Sequence, residues 1–412
     1  MRGSAAIVGV GELKPSRWTD GVSTMGLMAE AGLAAIKDSG LDFRDVDGLI
    51  VHPIGGVSML APSTVLELMG MQVSYADTVD LGGATGAAMV WRAAAAIQAG
   101  MATSVLCITG SRRQRRPAPA PSNGVPAPSN GVSAPSDGSP AKKTGGGWGG
   151  RDNSAMSEFE NPYGNIGANV GYAMIAQRYL HEYGATPEQL AKVAVHQRDN
   201  ANRNPDAIFY DQTITIDDVL SSPMIADPLH LLEIVMPAGG AAALLVTSPE
   251  IAESLPNRPA WLLGAGESVT HKSITYAPSL TDTAVKASAD RAFDQAGIGR
   301  DRIGLASVYD CYTITVLLTL EDAGFAAKGE GGRFIEEHDL RWNGDFPVNT
   351  HGGQLSFGQP GLAGGMSHVT EAVRQVQGRS GDRQVADLEF AFVNGNGGIL
   401  SEQASLVLGV ER

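Results

Sequence analysis

Two stretches near the start of the chain recur, in the same order, near its end. Residues 34–52 (AAIKDSGLDFRDVDGLIVH) align without gaps on residues 291–309 (RAFDQAGIGRDRIGLASVY). Gly40 falls on Gly297, Val46 on Ile303 and Val51 on Val308. Further along, residues 83–100 align on 361–378. Each is a glycine-rich turn, a helical stretch and a closing glycine, and an apolar run follows, SVLCIT or LEFAFVN. Two blocks kept in order read as a duplication. The chain is therefore expected to form two similar α/β halves, with its middle inserted as a loop domain.

Local patterns agree. The apolar runs at 5–11, 46–51, 104–109, 241–247, 260–266, 303–309 and 388–394, and the final SLVLG, read as strands. Residues 23–39, 84–98, 281–296 and 362–376 read as helices between them, with a shorter one at 316–323. Residues 166–183 and 187–204 give two more, the second capped by Thr186. Strands alternating with helices predict a parallel sheet covered by helical layers. Residues 113–150 break the pattern: PAPAPSNGVPAPSNGVSAPSDGSP has almost nothing to bury and reads as a flexible surface insertion. The division expected is 1–112 for the first part of the N-terminal half, 113–150 for the insertion and 151–240 for the loop domain. Residues 241–270 return to the first half, and 271–412 form the second.

A net charge of −14 gives no positive field for nucleic acid or an anionic membrane. Two cysteines are no disulfide framework. The N-terminus has no secretory pattern, and no window approaches the ~20 apolar residues of a membrane span. A cytoplasmic protein is expected. The histidines at 52, 181, 196, 230, 271 and 338 show no metal spacing, so no metal is expected. Arg112, Arg113, Arg115 and Arg116 could meet a phosphate or simply solvate a loop. The run GAGES at 264–268 looks like a phosphate loop but lacks its Gly-Lys-Ser/Thr.

Three stretches carry a resemblance. Residues 349–378 (NTHGGQLSFGQPGLAGGMSHVTEAVRQVQG) resemble the N-x-x-G-G-x-x-x-x-G-H-P-x-G-x-x-G block of the thiolase superfamily. Residues 308–325 (VYDCYTITVLLTLEDAGF) are similar to the H-D-C-F segment of its sterol-carrier and lipid-transfer branch. Residues 222–248 (SPMIADPLHLLEIVMPAGGAAALLVTS) resemble its middle region. The resemblance implies a five-layer αβαβα thiolase fold, a homodimer, and an acyl-CoA substrate with coenzyme A as part of it and no tightly bound cofactor.

The departures from that family decide the chemistry. The nucleophilic cysteine falls on Gly83, which has nothing to acylate. The histidine of G-H-P falls on Gln359, which cannot act as a base. The second cysteine falls on Asn394, and the Asn or His of the fourth motif on Tyr309. This constellation looks like the thiolase-like aldolases, which lack the nucleophile and cleave 3-hydroxyacyl-CoA by retro-aldol reaction. They use tyrosines as acid and base and work with a small OB-fold and zinc-ribbon partner. By that resemblance Tyr309 or Tyr312 is the base, with His351 and the backbone amides around Gly83 and 395–398 on the enolate. Gly83, Gln359, Asn394, Gly397 and His368 are expected to contact substrate, although His368 could equally be a satisfied core histidine. A lipid-transfer-type thiolase or acyltransferase, and a non-catalytic acyl-CoA or lipid-binding subunit, stay open as alternatives.

Overall fold

The computed structural model describes residues 1–57, 59–115 and 155–412. Most of the expected 113–150 insertion, Arg116 included, lies outside the described residues.

The first half contributes strands β1 (Ala6–Glu12), β2 (Gly48–Val51), β3 (Tyr75–Thr78) and β4 (Ser104–Ser111). The middle of the chain adds a small hairpin, β5 (Met224–Ala226) and β6 (Leu229–His230), and then β7 (Gly240–Thr247). The second half contributes β8 (Ala260–Val269), β9 (Leu305–Val308), β10 (Phe390–Gly397) and β11 (Glu402–Gly409). β8 pairs along its length with β11, so it belongs to this half and not to the first, where residues 241–270 were expected. Nine of these make one sheet in the order β3-β2-β4-β7-β1-β8-β11-β10-β9. Its two sides mirror each other: β3-β2-β4-β7-β1 answers β9-β10-β11-β8. The counterpart of β3 is reduced to a parallel bridge between Ala306 and Val348. The halves join through Ala6–Trp261 and Ile7–Ala260.

The sheet is mixed, not parallel as the alternation predicted. Only β2–β3, β2–β4 and β9–β10 run parallel. β10 and β11 are linked by a tight turn and must run antiparallel. β7 returns from the middle of the chain antiparallel to both β4 and β1.

Five layers follow. The helices Thr85–Gln98 and Ala363–Val376 pack on each other and on strands of both half-sheets, so they form the middle layer. Helix Thr24–Ser39 covers the outer face of the first half and Val285–Ala296 that of the second. The duplication shows in detail. Both outer helices end on a left-handed glycine, Gly40 (φ 78°) and Gly297 (φ 62°), where a side chain would be strained. Each also rests on a glycine pair of the strand beneath. A Cβ on Gly9 or Gly11 would meet the Ala35 or Ala31 carbonyl at 2.2 and 2.0 Å; on Gly264 or Gly266, the Ala292 or Ser288 carbonyl at 2.0 Å. The GAGES run is thus a helix-packing surface within β8.

The Thr186 cap is as its sequence predicts, and Ser23, read there as the first helical residue, is a cap as well. Ser23 accepts from the Gly26 N–H, and Thr186 forms a capping box with Gln189. The helix Ala61–Met69 and β3 were not foreseen, because β3 is a four-residue edge strand whose side chains are only alternately half-buried. Gly264→Ala is expected to cost roughly 1–3 kcal/mol in urea denaturation, because a backbone carbonyl cannot step aside. Gly55→Ala, with open space around it, should be close to neutral.

Candidate active site

The turn before the helix Thr85–Gln98 meets the end of β10 backbone to backbone. A Cβ on Gly395 would lie 2.8 Å from Ala84 Cα, and one on Gly397 would lie 2.0 Å from the Leu81 carbonyl oxygen. No other residue type permits that approach. The structure thus brings Gly83 and the 395–398 turn together, as the sequence reading required.

Tyr309 follows β9 and points into this junction. A Cβ on Gly83 would fall 2.2 Å from Tyr309 Cε2 and 2.3 Å from Cζ. The tyrosine ring therefore occupies the space where a residue-83 side chain would begin. The Tyr309 N–H donates to the Asn394 carbonyl (2.9 Å), which fixes the strand end. Its hydroxyl accepts from Gln359 Nε2 at 2.9 Å. The Gln359 backbone is itself clamped: its N–H donates to the Met236 carbonyl and its carbonyl accepts from Ala238, both at 2.8 Å.

Tyr312 lies in the same cluster but is bonded in the opposite sense. Its hydroxyl donates to Asn169 Oδ1 at 2.6 Å. Its ring stacks on Tyr172 at 4.3 Å. The Tyr172 hydroxyl donates to the Gly398 carbonyl (3.2 Å) and accepts from Asn396 Nδ2 (2.9 Å). Burial pushes the pKa of both Tyr309 and Tyr312 well above the ordinary phenol range, so both rest as neutral phenols. A phenol that accepts a hydrogen bond has its anion favoured. One that donates to an amide oxygen has its neutral form favoured. Asn169 and Tyr172, both on the helix Ala168–Tyr183, were missed in sequence. The helix was legible there, but nothing showed which of its residues turn inward.

The expected histidines stand differently. His368 is fully buried, with Nε2 3.1 Å from Asp310 Oδ1 and Nδ1 3.4 Å from Ser307 Oγ. It is a satisfied core histidine, which corrects its assignment to substrate. His351 packs against the His368 and Phe357 rings at 5.1 and 5.3 Å. Its two ring nitrogens have no partner among the described residues, and burial pushes it well below the usual histidine range, leaving it neutral. Asn394 is also corrected. Its Oδ1 accepts from Ser405 (2.8 Å) and its Nδ2 donates to Gln403 (2.9 Å), within a network that reaches Ser288 of the outer helix. Gly397 belongs to the backbone junction.

Neither cysteine replaces the missing nucleophile. Cys107 is enclosed within β4, where burial pushes its thiol far up. Cys311 borders the cluster, 3.9 Å from Asn396 Nδ2, but burial pushes it up to about 12. Both remain thiols at neutral pH.

Fold and site together define a thiolase-type α/β protein whose nucleophile position is filled by a tyrosine ring. A family model described as Thiolase C-terminal domain-like matches residues 266–410. The chain is 34% identical to the steroid side-chain-cleaving aldolase of Thermomonospora curvata, over 100% of this chain and 99% of that protein. It is 32% identical to the 17-hydroxy-3-oxo-4-pregnene-20-carboxyl-CoA lyase of Mycobacterium tuberculosis, over 99% of this chain and 100% of that one. The solved structure of the Ltp2-ChsH2(DUF35) aldolase superposes with a TM-score of 0.84 at 33% identity, covering 100% of this chain and 99% of that one. This chain belongs to the thiolase superfamily, among its aldolase-like members.

Gly83→Cys should not create a thiolase. The new side chain collides with Tyr309, so the variant is expected to unfold at lower urea and to consume no free thiol with 3-ketoacyl-CoA. Adding Tyr309→Ala should recover part of the lost stability.

Proposed function

We propose that this protein cleaves a 3-hydroxyacyl-CoA by a retro-aldol reaction in which Tyr309 is the acid–base group. The observation that carries this reading is the Tyr309 ring in the space of a residue-83 side chain, with its hydroxyl accepting from Gln359. Once the resting phenol has released its proton to solvent, the Tyr309 phenolate takes the proton of the 3-hydroxyl. The C3–O bond becomes a carbonyl and the C2–C3 bond breaks. Its electron pair moves onto the thioester as an enolate, and Tyr309 returns the proton to C2. The cycle is proton-neutral, consumes no free thiol and forms no acyl-enzyme. The backbone N–H groups of Gly82, Gly83 and Gly398 are the donors proposed for the enolate oxygen.

Tyr312 then takes a positioning role, its proton engaged by Asn169. The relatives named above act, by their names, on steroid side chains and a pregnene carboxyl-CoA, which supports a bulky acyl group here. Exposed apolar side chains agree with such a substrate. Ile166 (58% exposed) and Met174 (45%) accompany Asn169, and Met224 (51%) lies on the hairpin strand packed beside that helix.

The Ltp2-ChsH2(DUF35) aldolase carries a second component in its name. That supports a small OB-fold and zinc-ribbon partner for this chain. Strand β3, which ends the sheet with one side unpaired among the described residues, is where a second copy could extend it into a homodimer. The thiolase alternative is disfavoured because no cysteine reaches the site as a thiolate. No helix of the described residues is long and apolar enough to cross a membrane.

The test is a pair of substitutions assayed on 3-hydroxyacyl-CoA esters. Tyr309→Phe is expected to lower kcat by about 10²–10⁴-fold with KM little changed. Tyr312→Phe should retain kcat within about tenfold. The reverse ranking would move the acid–base role to Tyr312.

A further inference from the structure

We infer that Gln359 is a positioning residue whose amide N–H favours the phenolate of Tyr309 over its resting phenol, and so sets the pH at which the tyrosine can act as a base. The inference rests on the retro-aldol reading but concerns a different atom pair. Sequence alone made Gln359 a substrate contact.

The geometry argues otherwise. Nε2 of Gln359 donates to the Tyr309 hydroxyl at 2.9 Å. A hydrogen bond of this sense strengthens when the phenol loses its proton, since the acceptor then carries charge. The donor is also fixed in place. Both backbone polar groups of Gln359 are bonded to the segment before β7, and the chain there pairs in parallel with Pro237. A preorganised donor supports a developing anion without reorganising at the moment of reaction.

The surroundings leave this task to the amide. The titratable groups about Tyr309 are Asp310, Cys311, Tyr172, Tyr312 and His368. None of these is a lysine or arginine. Asp310 adds negative charge next to the phenol, partly held by the Gln354 and Leu355 N–H groups at 2.8 and 3.2 Å. Burial and this carboxylate both oppose the phenolate, whereas Gln359 favours it, helped by a second amide from Gln354. Among the described residues Tyr312 has no such donor, and it donates its own proton to Asn169. The two buried tyrosines are therefore told apart by their amide partners: Gln359 gives a hydrogen bond and Asn169 takes one.

The direct test needs no substrate. A ring-fluorinated tyrosine, more acidic than tyrosine, is placed at position 309 and titrated by fluorine NMR. With Gln359→Leu its midpoint is expected to rise by about one pH unit. With Gln359→Glu, where a carboxylate faces the phenol, it should rise further. An unchanged midpoint in both variants overturns the inference, whatever the protein's reaction proves to be.

Kinetics give a second readout. In otherwise natural protein, Gln359→Leu should lower kcat by about tenfold at a fixed neutral pH with KM kept. The fluorinated ring should restore much of that loss, which a purely structural defect would not allow. A raised KM with kcat kept would return Gln359 to the substrate and overturn the proposal. If Gln359→Leu does not fold, Gln359→Glu carries the titration alone, with the same upward shift expected and an unchanged or lowered midpoint contradicting it.

Discussion

The middle layer exists because two helices touch backbone to backbone. A Cβ on Gly86 would lie 2.7 Å from Met366 Cα, and one on Gly365 would lie 1.9 Å from the Gly83 carbonyl oxygen. With glycine at both places, the helices Thr85–Gln98 and Ala363–Val376 close on each other between the half-sheets. Alanines pack the rest of this segment against the helix and strands around it: Ala84, Ala87, Ala88, Ala93 and Ala94 are all fully buried. Small residues give up side-chain area but let main chains approach within dispersion range over a long stretch. Everything functional hangs on that crossing, because it sets the starts of both helices beside the ends of β9 and β10.

At this junction the protein holds unusually little side-chain volume. Position 83 has none, and Gly395 and Gly397 line the opposite wall. Tyr309 enters from β9 and fills the gap, so the lost nucleophile and the gained phenol are one structural event. The ring cannot coexist with a cysteine at 83 in this packing. Thiolysis and tyrosine-based cleavage are alternatives that the same frame cannot hold together. The loop region contributes the other side of the site, Asn169 and Tyr172, which bind Tyr312 and the Gly398 carbonyl. Its helix therefore does more than cover the core.

Much of the frame was legible in the sequence. The offset between Val46–Val51 and Ile303–Val308 places β2 on β9 without adjustment, and Gly40 and Gly297 both cap helices. Strand direction was not legible, because alternation of strand and helix says nothing about a chain that leaves for the loop region and returns antiparallel as β7. Gly83, Tyr309 and Gln359 could be singled out because they replace residues of a known pattern. Asn394 fits the pattern equally well by position, yet its side chain turns to Ser405 and Gln403. His368 likewise turns to Asp310. A motif gives the backbone position of a residue, but neighbours on other elements decide where its side chain points. Asn169 and Tyr172 belong to no motif and became visible only through their partners.

The central claim is that carbon–carbon cleavage proceeds here without a thiol nucleophile. The most direct measurement is free CoA thiol during turnover, followed alongside the carbonyl product for 3-hydroxyacyl-CoA and 3-ketoacyl-CoA esters. The account predicts that a 3-hydroxyacyl-CoA splits into a carbonyl compound and a shorter thioester while free thiol stays constant. Loss of one free thiol for each 3-ketoacyl-CoA cleaved would contradict it and return the protein to thiolase chemistry.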